Sequence, residues 1–165
     1  MSSDALFCTV LEFGELSAGM LQSGRSVRFR ARGSSMAPLV RDGDNLLVEP
    51  VEVASLRLGD ILLCSVQSDR VIVHRVVKRH GAGGKFLVQG DRVRDPDGWV
   101  DSAHIFGRVI EIERGGVHLH MNEPTARFLA VCAVCNSRWH LSQHHLFYLL
   151  RKGIQQFTLF EKYLT

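Results

Sequence analysis

Apolar residues change their spacing twice along this chain, and the changes divide it into three parts. In residues 4–22 they recur at helical spacing with acidic residues between them, which predicts one amphipathic helix ending at Gly24. From about residue 26 the period becomes two, as in a half-buried strand. From Pro124 the helical spacing returns. We therefore expect an N-terminal helix in residues 1–25, a β body in residues 26–122 and a helical extension in residues 123–165.

The β body is a series of short apolar or β-branched runs. Clusters of Gly, Asp and Pro separate the runs, and the glycine-rich stretches at residues 81–84 and 115–116 are typical of hairpin turns. The predicted fold class is mainly β, with one helix before the strands and further helices after them. The expected strands lie within the segments SVRFRAR, NLLVEP, DILLCSV, RVIVHRVVKR, KFLVQG, IFGRVIEIE and VHLHM.

Length and charge restrict the class of protein. The 165 residues, of which 45% are hydrophobic, are enough for one domain with a buried core. The net charge of +3 is small and acidic residues interrupt the basic ones, which favours a solvated surface over a nucleic-acid-binding face. The N-terminus lacks the pattern of a signal peptide, and no run of about 18 apolar residues occurs. We expect a cytoplasmic protein without a nucleic-acid partner or transmembrane segment, in which any membrane contact is at the surface.

The four cysteines do not form the framework of a disulfide-rich domain in a chain of this size. Cys132 and Cys135 form a CxxC pair, and three histidines follow within ten residues, which is a set of ligands that zinc could use. The pair lies in an apolar helical segment, however, where free cysteines pack as small hydrophobic residues. We favour packing and expect neither a metal nor a cofactor. The three histidines are His140, His144 and His145, and the two cysteines outside the CxxC pair are Cys8 and Cys64.

The turn GSSMAP, residues 33–38, places two adjacent serines between two expected strands. Such a turn is either a plain loop or the site of a nucleophile. Gly33 lets backbone N–H groups approach a substrate closely, and Ser34 and Met36 flank Ser35 in the turn that would hold an oxyanion. A serine hydroxyl is a poor nucleophile unless a base accepts its proton, so the turn needs a partner elsewhere in the chain.

His74 is the best candidate for that base. The alternation in RVIVHRVV puts it on the same face as Ile72 and Val76, where apolar neighbours favour the neutral imidazole that a general base requires. A histidine in such a strand is also common in a packed core. A carboxylate could orient the ring, and the loop QGDRVRDPDGWVD supplies Asp91, Asp95, Asp97 and Asp101.

Five segments in order resemble the superfamily of signal peptidases and LexA-like self-cleaving proteases (S24/S26 type), across about residues 27–112. They are GSSMAPLVRDGD, LRLGDILL, VIVHRVV, FLVQGDRVRDPDGWV and IFGRVIEI. The resemblance implies that Ser35, the serine directly before Met36, is the nucleophile. Bacterial signal peptidases and LexA-like repressors use a lysine as the base. The archaeal and endoplasmic-reticulum-type branch carries a histidine in an HRV strand, and this chain is more similar to that branch through His74.

The same branch completes its site with the aspartate of a GD pair and a second aspartate a few residues later. The resemblance therefore implies Asp91 and Asp97, with Asp95 as the competitor of Asp97. Signal peptidases are anchored in the membrane next to the serine motif, and at that place we expect only the amphipathic helix of residues 4–22. The chain also has Gly33 where many members carry a hydroxyl residue that helps to hold the oxyanion.

Three functions fit these features. The first is a soluble serine endopeptidase that acts on a peptide or protein substrate and needs no cofactor. The second is LexA-like self-cleavage, for which Ala18–Gly19 is a suitable bond, although it lies close to Ser35 and inside the expected helix. The third is a peptide-binding module that keeps the fold without the chemistry, in line with Gly33 and with an amphipathic helix where signal peptidases have their anchor.

Overall fold

The computed structural model describes residues 10–67, 70–81 and 84–139 of the chain. Within this part the architecture is mainly β, with eight strands in a curled sheet and an α-helix at either end. Two short 3₁₀ helices, Val53–Ser55 and Ser102–His104, lie in connections. In chain order the elements are α1 (Val10–Gln22), β1 (Val27–Arg30), β2 (Asn45–Glu49), β3 (Ile61–Val66), β4 (Arg70–His80), β5 (Lys85–Gln89), β6 (Gly98–Val100), β7 (Ile105–Arg114), β8 (Val117–His120) and α2 (Pro124–Trp139).

The sheet is antiparallel at every junction. Its strand order is β1-β2-β7-β3-β4-β5-β6, and β8 pairs with β7. Register shifts interrupt the β2–β7, β3–β7 and β4–β5 ladders. Because such irregularities bend a strand and increase its twist, they account for the curl of the sheet. The curl leaves β1 and β6 at the two ends of the strand order.

Strand β4 is paired differently along its two halves. Residues Arg70–Arg75 are opposite β3, whereas β5 pairs only with the half that begins at Arg75. In the described part of the chain, the edge of residues 70–74 that faces away from β3 therefore has no strand partner. This open edge is where the site described below is found.

The core consists of two clusters of buried side chains. The larger one joins α1, the loop between β1 and β2, and the inner face of β2, β3 and β7, and includes Leu21, Met36 and Leu46. The smaller one lies around Phe86 and Val88 of β5. The loop with the two serines is therefore anchored to the main core and does not hang free in solvent.

Helix α1 ends as the sequence predicts. Gly24 has a positive φ of 80°, the N–H of Arg25 donates to the Met20 carbonyl, and the N–H of Gly24 donates to the Leu21 carbonyl. These two hydrogen bonds form a Schellman motif, which satisfies carbonyl groups left over at the helix end and is best suited by glycine.

The mainly β prediction is confirmed, and so are both predicted hairpins, β4–β5 and β7–β8. Strand β6 was not predicted, because its three residues directly follow a loop of Asp and Pro and are too few to show alternation. The predicted residues 4–9 of the first helix and the predicted helix after residue 139 lie outside the described residues. None of the helices in the described ranges is long and apolar enough to cross a membrane.

The CxxC pair lies on α2. Cys132 packs against the main core, and burial, with a smaller effect of Cys135, raises the pKa of its thiol. Cys135 is exposed. Among the residues that the structure describes, no group of three or more His, Cys, Asp or Glu side chains is placed to hold a metal ion. The three histidines considered with the pair lie outside those residues.

Candidate active site

Ser35 lies in the loop between β1 and β2, and both ends of that loop are fixed. The N–H of Gly33 donates to Asp42 Oδ1 at 2.8 Å, and the N–H of Ala31 donates to the Asp44 carbonyl at 2.7 Å. Met36, next to the serine, is only 3% exposed and inserts into the main core. Burial of Met36 thus leaves the half-buried Ser35 at the surface of the β body.

His74 brings β4 to this loop. Its Nε2 lies 2.8 Å from Ser35 Oγ, and its Nδ1 lies 2.5 Å from Asp97 Oδ2. The histidine is 6% exposed. With a neutral ring, the Nδ1–H donates to the carboxylate and Nε2 accepts the serine hydroxyl proton, which is the arrangement of a serine–histidine–aspartate triad. We call Ser35, His74 and Asp97 the candidate triad.

Asp97 is held from two further directions. Its Oδ1 accepts a hydrogen bond of 2.8 Å from Arg70 Nη2, and its backbone N–H donates to the Val88 carbonyl at 3.0 Å. Arg70 is exposed, so its ion pair with Asp97 is a solvent-facing one of modest energy. The two bonds leave the second carboxylate oxygen of Asp97 directed at the imidazole.

Asp91 lies against Arg75 and not against His74. Arg75 donates from Nε to Asp91 Oδ1 at 2.7 Å and from Nη2 to Asp91 Oδ2 at 2.6 Å, and its Nη1 donates to the Gly59 carbonyl at 2.7 Å. The side chain of Arg75 is 1% exposed. Since consecutive side chains of a strand point to opposite faces, the aspartate that meets Arg75 is turned away from His74.

The loop of residues 90–97 also touches the serine turn. The N–H of Arg92 donates to the Ser35 carbonyl at 2.8 Å. A Cβ atom on Gly90 would lie 2.8 Å from the same carbonyl oxygen and 3.0 Å from His74 Nε2. Such distances are too short for a real Cβ, so a side chain at residue 90 would push the serine turn and the histidine apart.

The structure thus places the predicted site residues in two groups. The first group is the candidate triad, and the second is the Asp91–Arg75 pair behind it. Asp95, the competitor of Asp97, is exposed. Sequence reasoning missed three residues: Gly90, Arg70 and Arg75. Gly90 and Arg75 stand directly beside Asp91 and His74 in the quoted segments, so their position was the available signal, whereas Arg70 had none.

The turn residues expected to hold an oxyanion differ in their surroundings. Gly33 and Ser34 are exposed, and Met36 is buried. The N–H of Gly33 already donates to Asp42 Oδ1, so it is not directed at a substrate. Of the turn residues expected to hold an oxyanion, Gly33 therefore has its N–H already occupied.

A cleft of about 550 Å³ opens beside the triad, with Ser35 and His74 on its wall. Its other lining residues are mainly apolar and come from α1, β1, β3, β4 and the serine loop. They include Phe13, Phe29, Met36, Leu63, Val71 and Val73. The open edge of β4 runs along this cleft, so an extended chain placed there would pass the serine.

A family model described as Peptidase S24-like matches residues 11–110, more than half of the 165 residues. The chain belongs to the Peptidase S24-like family. The match with the Peptidase S24-like model runs from α1 into β7 and spans both groups of site residues. It supports the LexA-like superfamily and a peptidase fold of LexA-like or signal-peptidase-like type. No curated protein matches the chain at a significant level.

Proposed function

We propose that this Peptidase S24-like chain is a serine endopeptidase with Ser35 as nucleophile, His74 as general base and Asp97 as the carboxylate that orients the base. The observation that carries the proposal is the continuous hydrogen-bond chain from Ser35 Oγ through both nitrogens of His74 to Asp97. This chain gives the serine hydroxyl a proton acceptor and gives that acceptor a carboxylate, which are the two partners that an activated serine requires.

The chemistry follows from the protons in this chain. His74 Nε2 accepts the hydroxyl proton while Ser35 Oγ bonds to the carbonyl carbon of the peptide, and the carbonyl oxygen becomes an oxyanion. Asp97 stabilises the imidazolium through the Nδ1–H. His74 then gives the proton to the leaving amine nitrogen as the C–N bond breaks. Water hydrolyses the acyl-enzyme by the same steps, with His74 again accepting and returning the proton.

The surrounding residues have supporting roles in this proposal. Backbone N–H groups next to Ser35 hold the oxyanion, because the Gly33 N–H is already bonded to Asp42. Asp91 acts through Arg75, since the pair fixes the loop that carries Asp97. The substrate pairs as an added strand with the open edge of β4 beside the cleft.

Within this proposal, a histidine as the base favours the archaeal and endoplasmic-reticulum-type branch over the lysine-dependent members. Self-cleavage is less favoured, because Ala18–Gly19 lies inside α1 and the Gly19 carbonyl accepts a hydrogen bond from the Ser23 N–H. A bond inside a helix would have to unwind before it could enter a protease site as an extended strand.

A fluorophosphonate probe tests the proposal, since it phosphonylates only an activated serine. We expect labelling of the wild type at Ser35 and none in Ser35→Ala, with Ser34→Ala as the matched control that keeps labelling. Mass spectrometry of the labelled peptide identifies the modified residue. A wild type that stays unlabelled, or a Ser35→Ala variant labelled as fast as the wild type, would contradict the proposal.

A further inference from the structure

Helix α1 contacts both walls of the cleft. Phe13 packs edge-on against Phe29 of β1, with ring centroids 4.9 Å apart. On the other wall, a Cβ atom on the adjacent Gly14 would lie only 2.6 Å from Val71 Cγ2 of β4, so the helix backbone presses directly on this side chain. One turn of α1 therefore connects β1 to β4 across the cleft.

The contact on β4 lies at a defined distance from the triad. Val71 precedes His74 by three residues along the open edge, which is about 10 Å in an extended strand. Phe13 lines the same cleft as Ser35 and His74. A chain that pairs with β4 from the triad towards Val71 thus meets α1 after about three residues.

From this arrangement we propose that α1 is the end stop of the substrate cleft, with Phe13 and Gly14 as the residues that limit it. The proposal rests on the proposed peptidase function and specifies its substrate. The enzyme recognises about three residues on one side of the cleaved bond, and a longer chain must leave the cleft there. On the other side of the bond the open edge ends at β5, which pairs with β4 from Arg75 onwards, so α1 limits the cleft only on the Val71 side.

The test uses synthetic peptides. A random decapeptide library gives one well-cleaved sequence, which is then shortened residue by residue from each end. In the wild type, kcat/KM should rise up to about the third residue on one side and stay constant beyond it. In Phe13→Ala, a fourth residue on that side should raise kcat/KM by roughly two- to tenfold, the effect of one net hydrogen bond.

Leu16→Ala is the matched control. Leu16 is on the same helix but 62% exposed, so its truncation should leave the wild-type length profile unchanged. The melting temperature and the rate of fluorophosphonate labelling report whether each variant is folded with an intact triad. If Phe13→Ala does not fold, Val71→Ala removes the other contact and should extend the profile in the same way.

Three results would overturn the end stop. The first is a kcat/KM that rises steadily with peptide length on both sides in the wild type. The second is a folded Phe13→Ala with the same dependence of kcat/KM on length as the wild type. The third is a Leu16→Ala variant that gains from a fourth residue as Phe13→Ala does. If the wild type neither labels nor cleaves, the proposed function fails instead. In that case a peptide selected from the same library for binding to Ser35→Ala is shortened from each end, and fluorescence anisotropy still measures cleft length; affinity that keeps rising beyond the third residue on both sides would refute the end stop.

Discussion

Replacement of Asp91 by Asn separates a structural role from a chemical one. The carboxylate accepts two hydrogen bonds, of 2.7 and 2.6 Å, from an Arg75 side chain that is 1% exposed. In Asp91→Asn the guanidinium stays buried without its counter-charge. We expect a large loss of stability and a smaller loss of activity, because neither oxygen of Asp91 touches His74.

The size of the stability loss follows from this burial. Removing one partner of a buried ion pair costs about 3–5 kcal/mol, since the other charge remains desolvated. For a chain of this length each kcal/mol lowers the melting temperature by about 2–4 °C, so Asp91→Asn should melt about 6–20 °C below the wild type. The double variant Arg75→Met, Asp91→Leu removes both charges and should therefore lose less stability than Asp91→Asn. It still loses the hydrogen bond that Arg75 donates to the Gly59 carbonyl.

The activity loss is compared with that of Asp97→Asn. Changing the carboxylate that orients the base should slow fluorophosphonate labelling on the order of 10³–10⁴-fold, because the histidine then takes the wrong tautomer. Asp91→Asn should slow labelling by at most about 10²-fold, the effect of misplacing a group by about 1 Å. Both rates are measured at a temperature where circular dichroism shows each variant to be fully folded.

One combination of results would refute this reasoning. If Asp91→Asn keeps its free energy of unfolding within about 1 kcal/mol of the wild type, Arg75 does not depend on this carboxylate as a buried ion pair should. If it also labels as slowly as Asp97→Asn, Asp91 acts at the chemistry itself. Asp91 would then not act by positioning the loop through Arg75.

Three further predictions concern other parts of the molecule. Gly90→Ala should slow fluorophosphonate labelling by at least about tenfold, because its methyl group separates members of the candidate triad. Gly19→Ala is the control, since the space around Gly19 is open. Equal labelling rates in the two variants would show that Gly90 does not hold the triad together. A hydrogen bond from Arg28 of β1 holds the pKa of Glu111 below its ordinary value of 4.5, so Glu111→Gln should destabilise the protein at pH 7. In urea titrations the difference in free energy of unfolding between variant and wild type should disappear as the pH falls below about 4.5. A difference that stays constant with pH would contradict this. Burial raises the pKa of the Cys64 thiol to about 12, whereas Cys135 is exposed. At pH 8, iodoacetamide should therefore alkylate Cys135 well before Cys64, which mass spectrometry measures. Similar alkylation rates at the two cysteines would show that β3 opens.

Much of the β architecture follows from local patterns. The alternation in RVIVHRVV and the glycines after His80 are enough to predict a strand and a hairpin, because the two-residue period and the turn chemistry act between neighbours in the chain. Strand β6 escaped prediction because a three-residue strand has too few positions to alternate. It exists because its residues Gly98–Val100 pair with β5, which is a tertiary contact.

The site residues also divide into those that a local sequence pattern predicts and those that only a tertiary contact identifies. The sequence itself determined the serine turn and the histidine strand, because each has a local pattern of residue types that the family resemblance puts in order. The resemblance selected Asp91 and Asp97 but did not distinguish their partners, since the loop offers four aspartates within eleven residues and each fits a turn. Only the tertiary structure placed Asp97 on His74 and Asp91 on Arg75, across separations of 23 and 16 residues. The physical reason is that a strand sends adjacent side chains to opposite faces, so the partner of each is decided by which part of the folded loop reaches that face.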